Sequence, residues 1–209
     1  MFKKLLFLLF LFRLSFVFAC DLPNHFAFSV RNSDDEVLYW GCYDADNNGP
    51  HKVIWFLTYE RTEGTGRANA SFTQQRDGGQ LLLDLLEAGF QLPSHADFTN
   101  SGYDRGHMAP NSHFNDTEEN SRLTFFIANI WPQIPSVNRS GEWYHHEQNV
   151  DPEMAQEHGY IRIEIIVTDF TDQQIGRQER PISVPASFLR TAYCPENTIL
   201  YQIIVINEW

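Results

Sequence analysis

Apolar and β-branched residues recur along the chain in short runs, and five of these read as strands: 26–30, 53–59, 125–130, 160–167 and 199–206. The leucine-rich run at 81–88 follows the turn signal Asp77-Gly78-Gly79 and reads as a short helix. A second helix is expected over 141–148, capped by Ser140. Asp151 and Pro152 then look like an N-cap with proline at the first helical position, opening a helix that runs to about His158. Strands outnumber helices and do not alternate with them regularly. The pattern predicts an α+β fold, with a largely antiparallel central sheet and flanking helices. No repeat, low-complexity tract or linker interrupts the chain past residue 20, so 20–209 is expected to be a single domain.

Residues 1–19 stand apart from that pattern. Lys3 and Lys4 precede an apolar run over 5–12, and Val17 and Ala19 supply small residues just before Cys20. This is the layout of a secretory signal peptide cleaved after Ala19, and it predicts an exported protein, secreted or periplasmic. A membrane anchor is the competing reading, but Arg13 interrupts the run. Cleavage before Cys20 also raises a lipid anchor on that cysteine, which would make an outer-surface lipoprotein. Bulky Phe18 fits a lipobox poorly, so the unlipidated form is favoured. The alternative use of Cys20 is a disulfide with Cys42 or Cys194, and the sequence does not choose among the pairings.

Composition narrows the class. A hydrophobic content of 43% in 209 residues is enough for a real core, which excludes a disordered chain or a disulfide scaffold. The formal charge is −12, and removal of Lys3, Lys4 and Arg13 takes the remainder to 12 minus 27, or −15. Such acidity argues by itself against a polyanionic partner.

The informative stretch lies between 102 and 147. Asp104-Arg105-Gly106-His107 sits between Gly102-Tyr103 and Met108-Ala109-Pro110. Gly106 leaves room for a bulky substrate beside His107, and Arg105 places a permanent cation on the same side of an extended segment. A neutral imidazole is well suited to take a proton from water near neutral pH. Alone, the tetrad reads rather as a strand-end histidine satisfied by a carbonyl, with its arginine in a surface ion pair. It is not alone. Asn129-Ile130-Trp131-Pro132-Gln133 follows, then Asn138-Arg139-Ser140-Gly141-Glu142-Trp143, then Glu147.

With these residues the chain resembles the secreted non-specific DNA/RNA endonucleases of the ββα-metal (His-Me finger) superfamily. The signature there is Asp-Arg-Gly-His, then Asn-Ile-x-Pro-Gln, then Asn-x-Gly-x-Trp with a glutamate four residues on. One extra residue stands here before Gly141. The resemblance implies a ββα-metal active-site motif and metal-dependent hydrolysis of DNA and RNA to 5′-phosphate products, with little sequence specificity. It implies His107 as the general base that activates water and Arg105 as the group that neutralises phosphate charge. Asn138 is implied as the one protein ligand of a single Mg²⁺, with Mn²⁺ able to substitute, a hard ion that keeps its water. Glu147 is implied to hold a metal-bound water. Asn129 is implied to position either the substrate or the His107 loop. Arg67, ahead of Arg61, is the candidate for a further substrate-binding arginine.

Other features read blandly. Adjacent His145 and His146 point to different faces, and His113 reads as a loop residue. No zincin, serine-hydrolase or zinc-ribbon motif is present. Of the formal glycosylation sequons at Asn69, Asn115 and Asn138, the last would block the implied metal site, so the match is taken as accidental. The acidity is reconciled with a nucleic-acid substrate if the acids lie away from Arg105, or if the metal supplies local positive charge. The alternative function is a catalytically idle nucleic-acid-binding protein on the same fold, acting in DNA capture at the cell surface.

Overall fold

The computed structural model describes residues 20–64 and 79–209. Along them run β1 (His25–Arg31), β2 (Val37–Asp44), β3 (Gly49–Thr58), α1 (Gly79–Glu87), β4 (Asp104–His107), α2 (Glu118–Leu123) and β5 (Ile130–Gln133). Then come α3 (Pro135–Ser140), α4 (Glu142–His145), α5 (Asp151–His158), β6 (Tyr160–Arg177), β7 (Arg180–Tyr193) and β8 (Ile199–Ile206). Six strands form one sheet in the order β1-β2-β3-β6-β7-β8, and β4 pairs separately with β5. Every neighbouring pair is antiparallel. The expected α+β class and antiparallel sheet are the observed ones. The expected signal peptide lies outside the described residues, and among those described no helix is long and apolar enough to cross a membrane.

Period-two patterning explains which side of the large sheet is covered. Val53, Trp55 and Leu57 of β3 and Ile161, Ile163, Ile165 and Val167 of β6 point into the core, where they meet Phe114, Ile127, Trp131 and Trp143. The segment from β4 to α5 is therefore packed on that face, and this is the segment that carries the sequence motifs. Trp131 fixes the contact, with its indole N–H donating to the Pro50 carbonyl at 2.6 Å. Gly49 is part of the fit, because a Cβ there would lie 2.5 Å from the Trp131 ring.

Several expectations are corrected. The run at 125–130 is not a strand. Phe125 and Phe126 are both buried, Ile127–Asn129 makes a 3-10 turn, and extended structure starts only at Ile130. Ser140 does not cap a helix; it ends α3, and Gly141 is the extended junction before α4. Asp151 is not an N-cap. Its backbone is helical, and its N–H reaches back to the His146 carbonyl through a π turn, His146–Val150, that joins α4 to α5. Pro152 has no N–H to give, and the wider turn ahead of it is where the chain accommodates that loss. Strands β2 and β7 were not anticipated. Prolines 181 and 185 and a buried Arg190 mask β7 as a strand, yet it pairs on both sides.

The sulfur question has a simple outcome. Cys20 is bridged to Cys42, and Cys194 is buried outside any disulfide.

Candidate active site

Pairing of β4 with β5 sets the first half of the site. Arg105 and His107 share one face of β4, and Gly106 lies on the other. The role expected for Gly106 is revised: a Cβ at this position would fall 2.1 Å from the Gln133 side chain, so the missing side chain makes room for β5, not for substrate. His107 stands edge-on against Phe125, with ring centroids 4.8 Å apart. Arg105 donates from Nη2 to the His95 carbonyl at 3.1 Å.

Behind His107, Asn129 is fully buried. Its Oδ1 accepts from the Ala109 N–H at 2.8 Å, and its Nδ2 donates to the carbonyls of Ala109 and Thr124, each at 2.9 Å. Its own backbone carbonyl takes the Met108 N–H. With its amide committed inward, Asn129 holds the chain that leaves His107. Arg67 lies outside the described residues. Arg61 is described, and it pairs with Glu36.

The second half of the site comes from α3 and the π turn. Asn138 donates from Nδ2 to Asp104 Oδ2 at 3.0 Å. Arg139 reaches the same carboxylate, with Nε 2.7 Å from Oδ2 and Nη2 on Oδ1. Burial by itself would raise the Asp104 pKa, but the hydrogen bonds from Arg139 and Asn138 outweigh it and hold Asp104 below the usual carboxylate range. Glu147 sits on the π turn, almost wholly buried. Burial pushes its carboxyl up to about 8, with Asp151 adding to the rise while Arg190 and a hydrogen bond from Trp143 oppose it.

These residues converge. A cleft of about 310 Å³ is lined by Arg105, His107, Asn138 and Glu147, together with Asn111, Ser112 and Tyr144. A second hollow of about 600 Å³, lined by Tyr103, Asp104 and Arg139 among others, shares Arg105, Asn138 and Tyr144 as walls. The charged residues along both are Arg105, Arg139, Asp104 and Glu147, so the chain's excess of acids lies elsewhere among the described residues. No cluster of three or more His, Cys, Asp and Glu side chains is placed to hold a metal among the described residues. An ion held by one amide oxygen and water does not need such a cluster.

Sequence reasoning missed what stands behind Glu147. His113 is not a loop residue: it lies in a 3-10 turn, Asn111–Phe114, and is a fully buried hub. Trp55 donates to its Nδ1 at 3.2 Å, which leaves Nε2 as the protonated nitrogen, donating to the Glu147 carbonyl at 3.0 Å. Asp151 lies 3.7 Å from the same ring and is itself bound by Arg190 and Tyr201. Burial drives the His113 pKa down to about 4, so the ring is neutral. The available signal was the Asp151-Pro152 pair, which looks like a cap. His145 is exposed while His146 is buried against Tyr201, so the two do point apart.

Comparison with known proteins places this arrangement. A family model described as DNA/RNA non-specific endonuclease matches residues 24–207. The chain is 30% identical over 100 residues to human mitochondrial endonuclease G, a match covering 47% of this chain and 31% of that protein. It is 40% identical over 102 residues to a nuclease of Nostoc sp., covering 46% of this chain and 37% of the relative. The matches thus span about a third of the curated relatives. Among solved structures, a chain of the EndoG/EndoGI complex aligns with a TM-score of 0.65 at 20% identity, over 81% of this chain and 71% of that one.

Proposed function

The chain belongs to the family of DNA/RNA non-specific endonucleases, and from that membership we propose that it is an exported, Mg²⁺-dependent endonuclease that hydrolyses DNA and RNA with little sequence preference. The observation that carries the reading is the convergence of Arg105, His107, Asn138 and Glu147 on one cleft, from β4, α3 and the π turn. A single domain over 20–209 provides it.

The donor set fits a hard ion that prefers oxygen and keeps most of its water. Asp104 engages the Asn138 amide nitrogen, which leaves the amide oxygen as the atom available to the cleft. Held through the Asn138 amide oxygen, Mg²⁺ would supply positive charge to offset what builds up during phosphodiester cleavage. His107 takes the proton from a water whose oxygen bonds to phosphorus as the P–O3′ bond breaks; O3′ takes a proton from solvent, giving a 3′-hydroxyl and a 5′-phosphate. Asn129 keeps the imidazole in place by holding 108–109. Arg105 offsets charge on the phosphate oxygens with a planar fork. Glu147, which lines the same cleft as Asn138, would hold a water of the bound ion. Contacts of these kinds read phosphate and sugar, not bases, which accounts for weak sequence preference.

Export is supported by the basic and apolar character of residues 1–19 and by the Cys20–Cys42 bridge, a bond that persists in oxidising compartments. A thioether-linked lipid needs the Cys20 sulfur, so the bridge also favours the unlipidated form. The test is plasmid nicking with and without EDTA. Wild type should nick only with divalent metal, and His107→Ala should lower turnover by roughly 10²- to 10⁴-fold. If His107→Ala nicks as fast as wild type, His107 is not the base.

A further inference from the structure

The extra residue before Gly141 lengthens the interval after Asn138, and the structure shows where it goes. α3 runs on to Ser140, and Gly141 turns the chain into α4. Arg139, on the last turn of α3, lies back across β4 and grips both oxygens of Asp104. Asp104 Oδ2 also accepts from Asn138. One carboxylate therefore ties α3 to β4 through two consecutive residues.

That geometry bears on which end of the Asn138 amide the cleft meets. A free asparagine side chain can present either its oxygen or its NH₂ group, and only the oxygen can hold a cation. A carboxylate only accepts hydrogen bonds, so an amide bonded to Asp104 must turn its nitrogen that way. We propose that Asp104 and Arg139 are positioning residues that lock the Asn138 amide with its oxygen toward the cleft, Arg139 clamping the carboxylate that does the locking. The role rests on the reading of Asn138 as the metal ligand. An exposed ion pair contributes little to stability in general; here its work is orientation, through a bidentate fork.

The distinguishing measurement is direct binding of Mn²⁺ to the folded protein without nucleic acid, by titration calorimetry or electron paramagnetic resonance. Asn138→Ala is the control for the underlying reading and should weaken binding more than any other variant. Asp104→Asn keeps size but can accept or donate, so it no longer dictates the flip; Mn²⁺ affinity should fall by roughly 10- to 100-fold, the usual effect of removing a group that orients a metal ligand. Arg139→Ala should fall in the same direction but less, with Arg139→Lys recovering part of the loss. Nicking by each variant should be restored by raising the metal concentration. Arg139 is largely exposed, so its variants will fold even if Asp104→Asn does not. Weakened Mn²⁺ binding in Asn138→Ala beside wild-type affinity in Arg139→Ala and folded Asp104→Asn would overturn the lock alone. Wild-type affinity in Asn138→Ala, or no binding by wild type, would overturn the metal reading and the lock with it.

Discussion

His107 and Asn138 line the same cleft, and loss of activity alone would not tell them apart. The histidine acts on a proton, so His107→Ala should depress turnover without moving the metal concentration needed for half-maximal activity. The asparagine offers an oxygen to the ion, so Asn138→Ala should raise that concentration and be partly rescued by more Mg²⁺. Arg105→Lys keeps the charge and loses the fork, and an intermediate rate is expected. Metal titrations of nicking rate on the three variants check this; a His107→Ala variant rescued by metal would reverse the two assignments. At this scale the sequence was most legible. Arg105, His107, Asn138 and Glu147 all fall in short motifs whose chemistry is local, and the cleft contains all four. Asn129 was legible as a motif residue, but its hydrogen bonds were not, because its partners at 109 and 124 become neighbours only on folding.

Elements explain the rest of what the sequence hid. The β4–β5 pair is held by a close approach that a side chain at 106 would prevent, so Gly106→Ala should overpack against buried Gln133. The expected cost is about 1–3 kcal/mol, a drop in Tm of several degrees for a domain of this size. Adding Gln133→Ala should recover much of it, since the second truncation vacates the space the methyl needs. Thermal melts of the single and double variants decide the matter, and a Gly106→Ala protein that melts like wild type would mean the two strands do not meet as described. The motif named these residues but gave no sign that glycine serves the neighbouring strand. The π turn was hidden for a related reason. Asp151-Pro152 has the local chemistry of a helix start, but its carboxylate is recruited by Arg190 and Tyr201 from two sheet strands. Local propensity lost to a buried charge partner that no window of the sequence contains.

For the whole molecule, buried titratable groups predict how stability follows pH in EDTA. His113 has its pKa lowered to about 4 by burial, whereas an unfolded histidine titrates near 6.5. The unfolded chain takes up that proton first, so stability is lost as pH falls from about 6.5 to 4, by on the order of 3 kcal/mol. Asp97 acts further down. Burial would raise its pKa, but Arg177 and Ser94 outweigh that and hold it at about 2, so its contribution is present above the ordinary carboxylate value and disappears as pH falls toward 2. Glu147 works in the other direction. Burial raises it to about 8, and the unfolded carboxyl releases its proton near 4.5, so stability falls as pH climbs between those values. From pH 8 down to 6.5 acidification should stabilise, between 6.5 and 4.5 the histidine and the glutamate oppose one another, and below 4.5 stability should fall. The melting temperature should therefore peak on the acid side of neutrality. Glu147→Gln removes a buried acid that costs the fold its stability at neutral pH, so it should flatten the alkaline fall and melt higher than wild type at pH 8 while losing nuclease activity. Melting curves of both proteins from pH 4 to 9 in EDTA make the comparison. If the two melt together across pH 6 to 8, the Glu147 carboxyl is not held protonated by its surroundings.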